Sequence, residues 1–198
     1  MNLDILQKQI SFIKEIDKLK YVTRKTRLFN SDRHENDAEH SWHLAMMVLV
    51  LAEHSNEPID MLKVLKMILI HDIVEIDAGD TFLFDTKNNH TNTDEELKAA
   101  KRIFRMLPKV QADDFIAIWE EFEAFETPEA KFARSIDHFE PILQNDTNNG
   151  GTWAEFAVPY ETVIQKKSVM KKGSSNVWNY AKSVIDENQK NGIFKDEV

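Results

Sequence analysis

Residues 61–75 read MLKVLKMILIHDIVE, and this stretch decides both the fold and the chemistry expected of the chain. Apolar side chains surround the predicted helix on nearly every face, which is typical of a helix that other helices cover. Burying the ionised carboxylate of Asp72 beside such a run is costly unless the carboxylate has a partner. Glu75 follows His71 by four residues, so we expect both side chains on one helix face and near one pocket.

A second segment, residues 38–54, reads AEHSWHLAMMVLVLAEH and is also apolar on nearly every side. It predicts a second central helix, with His40 in its first turn after a cap at Asn36 or Asp37. The chain has no cysteine, so a metal ion would have to bind imidazole and carboxylate groups. We expect no buried lysine or arginine beside these carboxylates, which makes a divalent ion the predicted counter-charge.

Helical periodicity continues outside these two segments, and glycine and proline number only 5 each, too few for many short strands. We predict an all-α bundle with a buried metal site between the two central helices. Further helices are expected at about residues 2–19, from a Thr93–Glu96 capping box to Leu107, around 115–125, from a Thr127-Pro128 start, and around 153–165 and 177–186. Residues 145–151 are the clearest predicted loop. The prediction is one domain over residues 1–198.

The charge and the apolar content of the chain argue against two classes of partner, nucleic acids and membranes. The net charge is −9, which argues against binding to nucleic acid, because phosphate backbones need a positive surface. The longest apolar run, residues 44–52, is shorter than the roughly 20 residues of a membrane span. The first residues lack the pattern of a signal peptide. We therefore expect a cytoplasmic protein that does not act on nucleic acid or membranes.

Asp137 is the more distant candidate for the same pocket. It borders the apolar stripe of the helix expected after Thr127, and Pro141 four residues later should kink that helix. These features alone carry little weight.

The segments RHENDAEHS (33–41), HDIVE (71–75) with Gly79-Asp80, and ARSID (133–137) occur in this order on predicted helices. This ordered set resembles the HD-domain metal-dependent phosphohydrolase superfamily. Within it, the chain is most similar to the branch that contains the bacterial 5′-deoxynucleotidases. The resemblance covers about residues 15–145, and the remaining predicted helices fit the length of that branch.

The resemblance implies one divalent metal ion held by His40, His71, Asp72 and Asp137. It also implies that Glu75 orients or deprotonates the attacking water. Imidazole with carboxylate does not distinguish among Mn, Co, Fe, Ni, Zn and Mg. Glu75 could instead steady His71 from behind the metal ligands.

The resemblance further implies that Asp80 contacts the sugar or the leaving group, although Asp80 could simply cap the turn after Gly79. With a one-residue insertion before His40, Arg24 aligns with the arginine that helps to bind the nucleotide. This chain has Lys25 where the deoxynucleotidases carry tryptophan, which affects the expected nucleotide and sugar preference.

Two alternatives concern the phosphate contact: Arg27 could take this role in place of Arg24, and Lys87 could assist. Arg24 could also belong to a solvated basic cluster, which is the commoner fate of such runs. The other residues weighed were expected to be structural: Lys166 and Lys167 at the surface, Trp42, Trp119 and Trp153 in the core, and His43 and His138 outside the metal site.

The leading functional hypothesis is removal of phosphate from nucleoside 5′-monophosphates, with deoxyribonucleotides favoured. One alternative keeps the site but changes the substrate to a guanosine polyphosphate or a cyclic nucleotide. Another is a non-catalytic helical binding module stabilised by a metal. A homodimer is a further expectation, because the apolar run Phe82-Leu83-Phe84 in a predicted loop suggests a covered surface and the family often forms dimers.

Overall fold

The computed structural model describes residues 3–84 and 93–194. The helices and strands occur in the order α1 (Leu3–Ile16), β1 (Thr23–Arg27), β2 (His34–Asn36), α2 (Asp37–Leu51), α3 (Met61–Ile70), α4 (Glu75–Ala78), α5 (Thr93–Phe104), α6 (Lys109–Ala124), α7 (Pro128–Thr147), α8 (Gly151–Glu155), α9 (Tyr160–Lys167) and α10 (Ser175–Lys190). Short 3₁₀ turns occupy Asp17–Tyr21, Ala52–His54, His71–Val74 and Ser168–Lys172. The predicted all-α class is confirmed, apart from one small hairpin.

The core forms around α7, which packs against α2, α3, α6 and α10. The central parts of α2 and α3 supply fully buried Leu44, Val48 and Ile68, and α7 supplies Phe132 and Ile136. This packing removes the inner faces of both central helices from water, which is the dominant favourable contribution to folding. It also holds their polar residues next to one face of α7.

The start signals read from the sequence are formed. Asn36 and Glu39 make a capping box at the beginning of α2, with the Asn36 side chain accepting from the Glu39 amide at 3.0 Å. Thr127 caps α7 by accepting from the Ala130 amide at 3.3 Å. Both caps satisfy amides that have no partner within the helix, and so fix where the two site-bearing helices begin.

The loop predicted at residues 145–151 is shorter than expected, because α7 continues to Thr147. The amide side chains in this stretch bond to nearby groups: Asn145 Oδ1 accepts from the Thr152 amide at 2.9 Å, and Asn148 Nδ2 donates to the Gln144 carbonyl at 2.8 Å. Such local bonds usually compete with a helix but here stabilise its last turn. The chain then reverses at Gly150, whose φ of 90° suits glycine.

The antiparallel pair β1–β2 was not predicted from the sequence. Thr23 pairs with Asn36 and Arg27 with His34. Strands this short, rich in charged residues, give no alternating apolar pattern to read. The hairpin matters for function because it brings Arg24 next to the start of α2.

One face of α2 is apolar but exposed, which contradicts the expectation that other helices cover it on all sides. Trp42, predicted to be in the core, is 65% exposed, and Met46, Leu49 and Val50 are exposed near it. The apolar stripe of α1 also faces outward: Leu3, Leu6, Ile10 and Ile13 are exposed, whereas Phe12 is buried against Phe115. An apolar helix pattern does not reveal whether the cover comes from the same chain.

Within residues 3–84 and 93–194, no helix has both the length and the apolar character that crossing a bilayer requires. Lys87, a candidate helper at the phosphate, and the side chain of Thr93 lie outside the described residues.

Candidate functional site

His71 and Asp72 lie in a 3₁₀ turn directly after α3, not within one long helix as predicted. Glu75 then begins α4, so the expected one-turn spacing from His71 on a single α-helix is not formed. A short 3₁₀ turn between two helical segments tightens the backbone and changes the direction of the side chains. It allows His71 and its neighbour Asp72 to converge, with His71 Nε2 at 3.0 Å from Asp72 Oδ1.

His40 is fully buried in the first turn of α2. Its Nε2 atom lies 3.1 Å from Asp137 Oδ1 and 4.0 Å from Asp72 Oδ2, and His71 Nε2 lies 3.8 Å from the same Asp137 oxygen. Potential ligand atoms of His40, His71 and Asp72 all lie within 4.8 Å of one another. The fold therefore brings together all four residues expected to bind the metal.

These four side chains present acceptors to one another. His71 Nδ1 is 2.8 Å from the Ile68 carbonyl, so in the neutral ring this nitrogen donates and Nε2 carries a lone pair. That lone pair is buried without a hydrogen-bond partner and faces the carboxylates of Asp72 and Asp137. A cation between them would relieve the repulsion, and two imidazoles with two carboxylates suit a divalent ion.

The pKa values in the group follow the same logic. Burial by itself would lower the pKa of His71, but the carboxylates of Asp72 and Asp137 outweigh it and raise this pKa to about 9. Burial would raise the pKa of Asp137, yet hydrogen bonds with His40 and His71 hold it well below its ordinary value. The group thus favours a positive charge, as a proton or a metal ion, at its centre.

Two further buried carboxylates lie behind His40. Its Nδ1 atom is 3.4 Å from Glu35 Oε2 and 3.4 Å from Glu140 Oε2, and Glu140 Oε1 is 3.3 Å from His43 Nδ1. Burial opposes ionisation of Glu140, but its contacts with His40 and His43 lower its pKa to about 2. Carboxylates placed behind a metal-binding imidazole commonly fix its orientation. Sequence reasoning overlooked both, although Glu140 follows Asp137 by three residues on α7.

Arg24 is buried among carboxylates, with its side chain only 14% exposed. Its Nη1 atom lies 3.1 Å from Asp37 Oδ1, 3.1 Å from Asp72 Oδ2 and 3.7 Å from Asp80 Oδ1, and its Nε lies 3.8 Å from Glu35 Oε2. This corrects the expectation that no buried cation accompanies Asp72, and it rules against a solvated position for Arg24. The error arose because the unpredicted hairpin carries Arg24 inward.

Arg27 is placed differently. It forms an ion pair with Glu155 at 3.0 Å, with a third of its side chain exposed. Residues that lie an odd number of positions apart on a strand face opposite sides of the sheet. Arg24 and Arg27 are three positions apart, so their side chains point to different sides.

Glu75 lies with Asp37 and Asp80, and carboxylate oxygens of the three residues lie within 4.8 Å of one another. Burial and the neighbouring Asp72 and Asp37 raise the pKa of Glu75 well above its ordinary value. Burial, together with Asp72, raises the pKa of Asp37 to about 6. Carboxyl groups that titrate nearer to neutral pH suit proton transfer. Asp37 had been considered only as a helix cap.

Some of the residues described above border a cavity of about 210 Å³. Its lining comprises Arg24, Lys25, Thr26, Asp72, Glu75, Asp80, Thr81, Phe82, Leu83, Phe84, Arg134, Asp137, His138, Pro141, Asn145, Thr152 and Lys167. Lys167 was predicted at the surface but is 3% exposed, and His138 lines the cavity although it was set aside. A lysine pair resembles a solvated surface in sequence, so only the tertiary structure, in which the Lys167 ammonium reaches the His138 carbonyl of α7, could reveal its burial.

Aromatic rings lie along one part of the cavity. The Phe82 ring is 5.5 Å from that of Phe84 and 4.9 Å from that of Phe156, centroid to centroid. The apolar run at residues 82–84 had suggested a surface covered by a partner. In the structure these side chains are half-buried and line the cavity.

Comparison with known proteins identifies the family. The model of the HD domain matches residues 16–178, a range that includes all four of the clustered histidine and aspartate residues. This chain belongs to the HD domain family. The match confirms the resemblance drawn from the His40, His71-Asp72 and Asp137 segments.

Three relatives of this HD domain are informative. A predicted metal-dependent phosphohydrolase from Magnetospirillum magnetotacticum MS-1 is 44% identical, with a TM-score of 0.92 over 98% of this chain and 97% of that one. The 5′-deoxynucleotidase HDDC2 of Bos taurus is 29% identical over 137 residues, and that of Homo sapiens is 28% identical over 136. These matches cover 68% of this chain, and the chain spans about 65% of the length of the two curated relatives.

Proposed function

We propose that this HD domain is a metal-dependent phosphohydrolase that removes phosphate from nucleoside 5′-monophosphates, with deoxyribonucleotides favoured. The observation that carries the proposal is the convergence of His40, His71, Asp72 and Asp137. The two aspartates of this group line the cavity that Glu75 also lines. The names of the curated relatives support the deoxyribonucleotide preference. The proposed domain extends over residues 1–198.

His40, His71, Asp72 and Asp137 would together hold one divalent ion: Mn, Co, Fe, Ni, Zn or Mg. When bound, such an ion polarises a phosphoryl oxygen and lowers the pKa of coordinated water toward ~7. Glu35 and Glu140 hold the His40 ring from behind, so that its Nε2 atom points toward Asp137. The hydrogen bond from His71 Nδ1 to the Ile68 carbonyl fixes the second ring in the same way.

Glu75 is the proposed proton acceptor. It lines the cavity, and its raised pKa reflects burial and the negative charges of Asp72 and Asp37. Neutralisation of Asp72 by a bound cation would remove part of that effect and favour the ionised form of Glu75, which is the form that can accept a proton. Glu75 would take the proton of the attacking water and return one to the departing 5′-oxygen.

Arg24 is the proposed phosphate contact on this side of the cavity. Its Nη1 and Nε atoms face carboxylates, while Nη2 makes no hydrogen bond to a described residue. Asp80, 3.7 Å from Arg24 Nη1, is the proposed contact for the sugar or the leaving group. The surface ion pair of Arg27 with Glu155 makes Arg24 the better candidate of the two arginines.

The aromatic rings of Phe82 and Phe84, which line the cavity, support a nucleotide over a smaller phosphate ester, since a flat base can pack against such rings. The test is release of inorganic phosphate from a panel of 2′-deoxyribonucleoside and ribonucleoside 5′-monophosphates with Mn²⁺ or Co²⁺. We expect the deoxyribonucleotides to react faster. Guanosine polyphosphates and cyclic nucleotides are followed by chromatography, because their hydrolysis need not release inorganic phosphate. Turnover of these compounds without turnover of the monophosphates would refute the monophosphate assignment, and no turnover of any of them would favour a binding module.

We also propose a homodimer that covers the exposed apolar face of α2. Trp42, Met46, Leu49 and Val50 form this face, and clustered exposed apolar residues on a water-facing helix commonly mark interfaces. Analytical ultracentrifugation of wild type and Trp42→Asp tests it: the wild type should sediment as a dimer and the variant as a monomer. A monomeric wild type would refute the proposal. The cytoplasmic location stays a prediction.

A further inference from the structure

Lys167 ends α9 as a buried cation for which the steps described above have no use. Its Nζ atom donates one hydrogen bond, at 3.0 Å, to the carbonyl of His138. Within residues 3–84 and 93–194, no carboxylate oxygen lies within ion-pair distance of it. An ammonium has three N–H donors, so two remain without a partner in that part of the chain. Burying an ammonium without a counter-ion is costly, which demands an explanation.

Lys167 contrasts with Arg24, another largely buried cation of the cavity. Asp37, Asp72 and Asp80 surround Arg24, so its charge is already balanced by the protein. The charge of Lys167 is not balanced by an ion pair, and burial lowers its pKa to about 8. At neutral pH it still carries a proton for most of the time. An incoming anion would therefore gain more from Lys167 than from Arg24.

The position of Lys167 favours a phosphate as that anion. Lys167 lines the same cavity as Asp137, Glu75 and Arg24, so it borders the place where the substrate phosphate must lie under the proposed function. Phosphate oxygens accept short, charge-assisted hydrogen bonds from ammonium groups. An ammonium is a compact point charge and needs no planar partner, so it can follow the phosphate as its geometry changes during the reaction.

We propose that the Lys167 ammonium contacts the phosphate oxygens of the substrate, as a second cation beside Arg24. The inference rests on the proposed function for the identity of the substrate, but not for the presence of a phosphate site. Its alternative is a purely structural lysine that ties α9 to the His138 carbonyl of α7.

The test compares Lys167→Met with Lys171→Met, an exposed lysine four residues later whose loss changes the net charge equally. Calorimetry on the Mn²⁺-loaded proteins would measure the affinity for inorganic phosphate and for deoxyadenosine, which has no phosphate. Loss of a charge-assisted contact should weaken phosphate binding by about 10- to 100-fold in Lys167→Met only. Deoxyadenosine affinity and metal content should be unchanged, and Lys167→Arg should restore part of the phosphate affinity.

Thermal unfolding separates this role from a structural one. Methionine has a similar length and no charge to desolvate, so Lys167→Met should be as stable as wild type or more stable. Unchanged phosphate affinity in Lys167→Met, or an equal loss for phosphate and deoxyadenosine, would overturn the inference. If Lys167→Met does not fold, a structural role is indicated and Lys167→Gln must show the selective phosphate loss for the inference to survive.

Failure of the proposed function would appear differently. In that case the wild type would hydrolyse no nucleotide of the panel, while calorimetry would still measure whether phosphate binding depends on Lys167. A wild type that binds no inorganic phosphate in the presence of metal would overturn the Lys167 assignment by itself.

Discussion

The cavity has two walls with one buried cation in each, and the walls differ in whether carboxylates balance the charge of that cation. The acidic wall, built from β1, the start of α2 and the His71–Asp80 segment, surrounds Arg24 with Asp37, Asp72 and Asp80. The other wall, where the end of α9 meets α7, holds Lys167 with one hydrogen bond to a backbone carbonyl. In the first arrangement the charge of the cation is balanced by the protein, whereas the second leaves both charge and donors available.

The two cations therefore differ in what they do before a ligand binds: Arg24 holds protein groups in place, and Lys167 keeps its charge available for an anion. A balanced cation such as Arg24 fixes the carboxylates around it, and so positions the proposed metal ligand Asp72 and the proposed sugar contact Asp80. An unbalanced cation raises the energy of the free protein, and that energy is recovered when an anion binds. The variants below test this division, beginning with the largest expected effect.

Asp72→Ala should disrupt the acidic wall at its centre, because the Asp72 carboxylate contacts both Arg24 and His71. We expect loss of bound metal, loss of measurable phosphate release and a lower melting temperature, since a ligand and the partner of two charged groups disappear together. His40→Ala should behave alike. Elemental analysis and phosphate release are the measurements.

The matched control is Asp77→Ala, which removes a carboxylate from the surface ion pair with Arg102. Surface ion pairs contribute about 0–1 kcal/mol, so metal content and turnover should be normal. A full complement of metal in Asp72→Ala would show that the proposed ligand set is wrong.

Glu75→Gln should leave the acidic wall intact but remove its proton acceptor. Metal content should be retained, and turnover should fall by roughly 10²–10⁴-fold, the usual span for loss of a general base. Steady-state kinetics with a deoxyribonucleoside monophosphate would measure it. Turnover close to that of wild type would assign Glu75 the steadying role considered from the sequence.

Arg24→Lys sharpens the comparison between the two cations. A lysine keeps the charge but cannot serve Asp37, Asp72 and a phosphate at once, because it lacks the planar fork of donors. We expect kcat/KM to fall by about 10- to 100-fold with normal metal content. Lys25→Ala, at the exposed neighbouring position, is the control and should have a small effect. A silent Arg24→Lys together with a defective Arg27→Lys would transfer the role to Arg27.

The smallest expected effect is a pH dependence of stability in metal-free protein. The folded state raises the pKa of His71 from 6.5 to about 9, chiefly through Asp72 and Asp137 acting against burial. Stabilisation by this proton is complete below the unfolded pKa and is lost as pH rises toward the folded one. The free energy of unfolding should therefore fall by about 1 kcal/mol between about pH 7 and about pH 8.

Lys167, whose burial lowers its pKa to about 8, gives an opposite trend that is small within this window and grows above it. Denaturant titrations with a chelator, at the two ends of the window, would measure the change. Metal-loaded protein should not show the decrease, because the ion replaces the proton on His71. A decrease of equal size with bound metal would contradict the proposed role of His71.

The sequence was sufficient for those parts of the site that sit on strongly apolar helices. His40 and His71 stand at fixed positions relative to buried runs, and the caps at Asn36 and Thr127 located their helices. The resemblance added Asp137, which no periodicity could connect to His71 across 66 positions. The roles of these residues as ligands remain predictions.

What the sequence could not supply depends on how separate elements pack. Lys167 faces inward only because α9 leads into the Ser168–Lys172 turn, which packs on α7. Arg24 faces inward only because a short charged hairpin forms. Trp42 shows the reverse error, since an apolar residue on a central helix proved to be exposed. These errors share one cause. A local sequence pattern indicates whether a side chain favours an apolar or a polar environment, but not which part of the protein packs against it.

The residues that border the cavity extend from Arg24 to Lys167, and this spread has a consequence for how the protein folds. Joining α2 to α3 is enough to bring His40 near His71 and Asp72, but Asp137 and Glu140 arrive only when α7 docks. Contacts so distant along the chain close large loops and form late. Metal affinity should therefore develop at the end of folding. Metal binding then stabilises chains in which α7 has docked relative to those in which it has not.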